Sequence, residues 1–150
     1  MSDVKDPQFA LQRVYIKDVS FEVPGAPKVF LQQWQPEVNI DLNTSVDRLE
    51  DGVHYDVTLA LTVTARNQGE VAFLVEIKQA GIFQIEHVPE QEMAPLLGSY
   101  CPNLLFPFAR EAISDLVGKG SFPQLLLQPI NFDAVYAETL RKQQAAGASA

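Results

Sequence analysis

Apolar positions recur every second residue through the first half of this chain and with helical spacing through the second, which divides it into a sheet and a set of helices. Phe9 to Val23 reads as extended chain whose phase changes partway: Val14 and Ile16 are apolar on even positions, Val19, Phe21 and Val23 on odd ones. Side chains on a strand alternate strictly, so the change requires an extra residue, and a bulge or break is expected near Lys17. Beyond it Asp18, Ser20 and Glu22 point away from Phe21. Val38, Ile40, Leu42, Thr44 and Val46 then alternate with Glu37, Asn39, Asp41 and Asn43, and Asp51 with Gly52 supplies a tight turn. Val53, Tyr55, Val57, Leu59, Leu61 and Val63 form one face of a long strand. After a turn at Asn67 to Gly69, a strand from Val71 to Ile85 sets Phe73, Val75 and Ile77 opposite Leu74, Glu76 and Lys78. Three successive strands with short turns predict an antiparallel meander, and the N-terminal strand makes a sheet of four.

Between the first two strands, Pro24 to Pro27 is a loop, and Lys28 to Gln35, carrying Phe30, Leu31 and Trp34, follows neither period. An apolar segment of that kind between two prolines reads as a connection laid over a surface, a lid. In the second half, Pro89 to Leu97 suits a short helix ended by Gly98. The stretch that organises the chain follows: Leu104 to Val117, LLFPFAREAISDLV. At about 100° per residue, Leu105, Phe106, Phe108, Ala109, Ala112, Ile113, Leu116 and Val117 fan across one face, leaving Arg110, Glu111 and Ser114 on a narrow polar back. A helix lying on one sheet needs less apolar width. Two arrangements satisfy it: a helix sandwiched between its own sheet and a layer from another subunit, or a helix inside the core of a single chain. Pro107 predicts a start or a kink near Phe106. Gly118 to Gly120 ends the helix, Phe122 to Ile130 is an extended apolar connection, and Asn131 caps a last amphipathic helix carrying Phe132, Val135, Tyr136 and Leu140 on one face. The expected class is α+β: a four-stranded antiparallel sheet packed with a long central helix and a C-terminal amphipathic helix. It forms one domain over residues 1–150, with loose tails at about 1–8 and 143–150.

Composition adds boundaries. With 150 residues, 47% hydrophobic and 20% charged, the chain has the profile of an ordinary globular domain. A net charge of -8 argues against nucleic acid and anionic membrane, whose phosphates call for clustered Lys and Arg, and points to basic or apolar partners. The single Cys101 excludes an internal disulfide and fits a reducing compartment. The start, MSDVKDPQ, is polar without an apolar core, and no stretch is long and apolar enough to insert in a bilayer, so the cytoplasm is expected. Chemistry is sparse. His54 and His87 lack the partners of a metal site, Cys101 has no basic neighbour to activate it, and neither a phosphate loop nor a nucleophile elbow is present. No cofactor and no catalysis are expected.

Three strings, YIKDVSFEVPGAPKVFLQQWQPEV (15–38), GSYCPNLLFPFARE (98–111) and KGSFPQLLLQPINFDAVY (119–136), set prolines and aromatics at fixed offsets. Together they resemble the bacterial export chaperone family SecB over all but the two tails. The resemblance implies a homotetramer, a dimer of dimers, that holds unfolded precursor polypeptides and delivers them to SecA, the motor of the translocase, without a cofactor. Asp18, Glu22, Leu74 and Glu76 fall at positions matching the family's SecA-docking surface, and alternation by itself puts them opposite Phe21 and Phe73. For Val75, Ile77 and Gln79 the resemblance implies a part in assembly, and the face of Phe108, Ala112, Ile113 and Leu116 is the helical counterpart. Phe21, Trp34 and Phe83 are candidates to line a client groove under the lid, with Trp34 as plain core the competing reading. A different class of protein fits the composition too: an acidic oligomeric adaptor that binds one folded partner.

Overall fold

Alternation builds the expected sheet. In the computed structural model, which describes residues 5–148, β1 (Gln8–Glu22), β2 (Pro36–Arg48), β3 (His54–Asn67) and β4 (Glu70–Glu86) pair antiparallel in the order β1-β4-β3-β2. β2, β3 and β4 are the meander, and β1 lies beside β4, so residues 23–35 must carry the chain across the sheet. They do so with a short 3-10 turn at Lys28–Leu31. Asp51 accepts from the amides of Val53 and His54, both at 3.0 Å, which closes the β2–β3 turn.

The phase change in β1 is resolved by two bulges rather than one. Fifteen residues of β1 face thirteen of β4, from Gln8 opposite Glu86 to Glu22 opposite Leu74, and the two surplus residues are Gln12 and Lys17. The pair is compensating: Phe9 and Leu11, then Val14 and Ile16, then Val19 and Phe21 all end on one side. Both surplus side chains go to the other side.

The helical half departs from expectation at Gly98. α1 (Glu90–Pro95), a π turn (Leu96–Tyr100) and α2 (Cys101–Lys119) form one uninterrupted run, so Gly98 ends nothing. A Cβ on it would lie 2.6 Å from the ring of Tyr136, so the glycine makes room for α3 (Phe132–Ala148). Pro107 neither starts nor ends α2, which begins six residues earlier with Pro102 in its first turn, where a missing amide is harmless. The carbonyl that Pro107 leaves without a helical donor belongs to the exposed Asn103 and can turn to water. After α2 the left-handed backbone falls on Ser121, while Gly120 lets the ring of Phe21 approach. Asn131 caps α3 as expected, accepting from the Ala134 amide at 3.0 Å. α3 continues to Ala148, past residue 143, where a loose tail was expected; residues 1–4 and 149–150 of those tails lie outside the described residues.

α2 buries Leu105, Ala109, Ile113 and Val117 against the odd-numbered side of β3 and β4, where Val57 to Val63 and Phe73 to Ile77 are buried. One helix is about 10 Å wide and four strands span about 14 Å, so the margins of that side stay uncovered. Ile16 and Val19 on β1, and Val38, Ile40 and Val46 on β2, remain exposed there.

Candidate functional site

The side of the sheet away from α2 is bare and polar. Register sets Glu22 opposite Leu74, Ser20 opposite Glu76 and Asp18 opposite Lys78, so all four expected docking residues fall within three successive rows of β1 and β4. Asp18, Glu22 and Glu76 are exposed and Leu74 is half-buried. Lys78, exposed beside Asp18, keeps the patch from being uniformly acidic. The acidic character continues across the sheet, because Glu76 faces Thr62 on β3 and Thr62 faces Asp41 on β2.

On the helix side, the crossing segment folds over an aromatic cluster. Phe73 lies 4.9 Å from Phe122, 6.1 Å from Phe21 and 6.5 Å from Trp34 between ring centroids, and Trp34 and Phe30 each stand 5.3 Å from Phe122. Phe21 and Trp34 are therefore brought together through Phe73. Phe83 is not. It is fully buried, pairs with Phe9 at 5.5 Å, and lies ten residues along β4 from Phe73, about 33 Å away. Phe83 faces the start of α2, where Leu105 reaches over Gly81, and in this conformation it lines no open groove. Trp34 is half-buried against Phe73 and Phe122. The open apolar surface next to it is Phe30, whose ring packs on the same Phe122, with the adjoining Leu31, 90% exposed. Leu126, also exposed, lies instead by Pro107 and Arg110 of α2.

The crossing segment is anchored by a residue that alternation hid. Asn67, at the end of β3, is buried; its carbonyl oxygen accepts from the Gln35 amide at 2.9 Å and its amide donates to the Gln33 carbonyl at 3.0 Å. In the sequence Asn67 reads as a turn residue, and nothing local ties it to residues 32–35.

The expected assembly residues divide. Val75, Ile77 and Gln79 on the helix side of β4, and Ile113 on the sheet-facing side of α2, are buried within the subunit and offer no surface to a neighbour. Phe108 is 49% exposed, and Ala112 and Leu116 are half-buried beside it. The broad apolar face of the helix is thus split between its own sheet and a bare flank.

No catalytic constellation emerges among the described residues. The His54 ring is hydrogen-bonded to Asp51, whose carboxyl is held down at about 2, chiefly by the Val53 and His54 amides and then by that ring. Cys101 is enclosed, and burial pushes its thiol up to about 12. Among the described residues, no group of three or more His, Cys, Asp or Glu side chains could hold a metal ion, and no helix is long and apolar enough to cross a membrane.

A sheet with a bare polar side and a partly uncovered apolar side is suited to binding through its surfaces rather than to chemistry in a cleft. The family model described as preprotein translocase subunit SecB matches residues 2–143, and the chain belongs to the SecB family. It is 54% identical to the protein-export protein SecB of Alcanivorax borkumensis over all of this chain and 97% of that one. It is also 54% identical to that of Marinobacter nauticus, over 92% of this chain and 83% of the relative. The fold matches a SecB-like chaperone of Mycobacterium tuberculosis, solved in complex with a ChAD peptide from the HigA1 antitoxin, with a TM-score of 0.69 at 18% identity, over 81% of this chain and 90% of that one.

Proposed function

We propose that this protein is a holdase of protein export: it binds unfolded precursor polypeptides in the cytoplasm, keeps them extended and delivers them to SecA. The observation that carries the reading is the division of labour between the two sides of one sheet. An unfolded client needs apolar contacts rather than a shaped site, and the half-buried Trp34 and Phe21, seated on Phe73, with the exposed Phe30 and Leu31 supply them. A motor that docks through basic residues needs a separate acidic surface, which Asp18, Glu22 and Glu76 provide with Leu74 as apolar anchor. Chemistry at neither surface calls for a cofactor.

The working unit in this reading is a dimer of dimers, with the whole chain acting as one chaperone domain. The uncovered flank of α2 at Phe108, with Ala112 and Leu116, and the bare margin of Ile16 and Val19 supply apolar surface for a neighbouring copy. Val75, Ile77, Gln79 and Ile113 act on assembly indirectly, by fixing where α2 lies. The test is capture of several unrelated denatured proteins, with native mass measured in the same sample. A tetramer that captures them all and releases them on folding supports the reading; a protein that ignores them and binds one folded partner is an adaptor.

A further inference from the structure

β1, like β2, is an edge strand with a partner on one side only, so its register is less constrained than that of β3 and β4, yet the docking acids depend on it. The bulge at Lys17 is what turns Asp18, Ser20 and Glu22 outward; one residue of slip would send all three to the helix side. This bulge is held from both sides of the sheet. On the bare side Lys17 Nζ donates to Asp56 Oδ2 at 2.7 Å and to Thr58 Oγ1 at 3.0 Å, and the Tyr15 hydroxyl donates to Asp56 Oδ1 at 2.8 Å. Both ties reach past β4 to β3. Ala80, between Tyr15 and Thr58 in the register, is fully buried, as Thr58 beside it is buried, and its small side chain leaves room for the ties that cross it. On the helix side the buried Gln79 donates through Nε2 to the Tyr15 carbonyl at 3.0 Å.

We propose that Lys17 and Asp56 are positioning residues for the acidic docking face: their ion pair, tied across β4, fixes the surplus residue of β1 and with it the outward phase of Asp18 and Glu22. The inference rests on the docking role proposed above. It makes a cation essential to a surface that binds a cation-rich partner. If charge alone governed docking, removing Lys17 would make the face more acidic and strengthen binding. If the tie positions the face, the same change weakens it.

The experiment titrates the basic C-terminal segment of SecA against wild type, Lys17→Met, Lys17→Arg, Tyr15→Phe and Glu76→Lys, with amide exchange followed over residues 15–22. Lys17→Met is expected to bind about fivefold to tenfold more weakly, since the docking strand must be ordered on binding, and to exchange faster at residues 18–22 while β2 and β3 keep their protection. Lys17→Arg, which keeps charge and donors, restores affinity to within about twofold, and Tyr15→Phe, which keeps the ion pair and all charges, loses about twofold to threefold. Tighter or unchanged binding by Lys17→Met, with Glu76→Lys impaired, overturns the positioning role and leaves the docking face standing. Equal binding by wild type and Glu76→Lys shows that the docking reading itself fails, and the positioning role falls with it.

Discussion

Gly98 sits against the ring of Tyr136 so closely that a methyl group on it would come within 2.6 Å of one ring carbon and 2.7 Å of the next. The contact joins the π turn between α1 and α2 to the second turn of α3, next to the hydrogen bond that Ser99 Oγ donates to Asp133 at 2.5 Å. Beyond Tyr136, residues 137–147 are exposed, so the docking of α3 depends on its first two turns.

Gly98→Ala should therefore destabilise the fold by about 1–3 kcal/mol through overpacking. In a Tyr136→Ala background the same change should become neutral or stabilising by about 0.5–1 kcal/mol, the ordinary preference of a helical turn for alanine. Urea denaturation of the four proteins measures the coupling; additive effects would mean that the ring simply moves aside.

Assembly and folding should separate by residue. Ile77, 2% exposed beneath α2, should cost about 2–5 kcal/mol of subunit stability when cut to alanine. Phe108→Ala should cost about 1 kcal/mol or less in the fold, yet shift native mass toward smaller species, because half of that ring is already outside the core. Denaturation paired with native mass spectrometry distinguishes them, and a Phe108→Ala protein of unchanged mass would remove that flank from the interface.

Reversal of charge at Glu76 should weaken SecA binding about tenfold or more and leave client capture and oligomeric mass as they are, because the side chain points into solvent. Wild-type affinity should fall as ionic strength rises, with a residual contribution from Leu74 that salt does not screen. A binding curve insensitive to salt would argue for an apolar contact alone.

The β2–β3 turn carries a pH dependence of defined sign. The Val53 and His54 amides hold the Asp51 carboxyl at about 2 in the fold, below the 3.8 of a free aspartate, so between those limits the unfolded chain binds more protons and stability rises with pH. The contribution is fully present above about pH 4 and is lost as pH falls from 3.8 toward 2. Asp51→Ala should flatten the stability profile in that window and change little of its shape above it, which urea midpoints from pH 2 to 6 would register. Parallel profiles for the two proteins would rule the effect out.

Period-two alternation sufficed for all four strands and the outward placement of Asp18, Glu22, Leu74 and Glu76, because a half-buried strand writes its two environments into successive residues, and the short turns sufficed for the antiparallel meander of β2 to β4. The change from even Val14 and Ile16 to odd Val19 and Phe21 marks the bulge at Lys17; the unexpected bulge at Gln12 carries the same mark, odd Phe9 and Leu11 before even Val14. The capped start of α3 was legible in Asn131 for an equally local reason.

What the chain alone did not determine depends on contacts between residues far apart. Gly98 looks like a helix stop until Tyr136, 38 positions later, is seen to occupy the space its side chain would need. Asn67 looks like a turn until the crossing segment is found bonded to it. Phe21, Trp34 and Phe83 are indistinguishable as apolar positions, and only the path of the strands puts the first two in one cluster and the third at the opposite end beneath α2. Lys17 on β1 and Asp56 on β3 have β4 between them, so their pairing exists only once β1 has been laid against β4 rather than β2. Local periodicity records which side of an element is buried; which residue meets which across that boundary is decided by topology and register, and those arise only when the whole sheet is assembled.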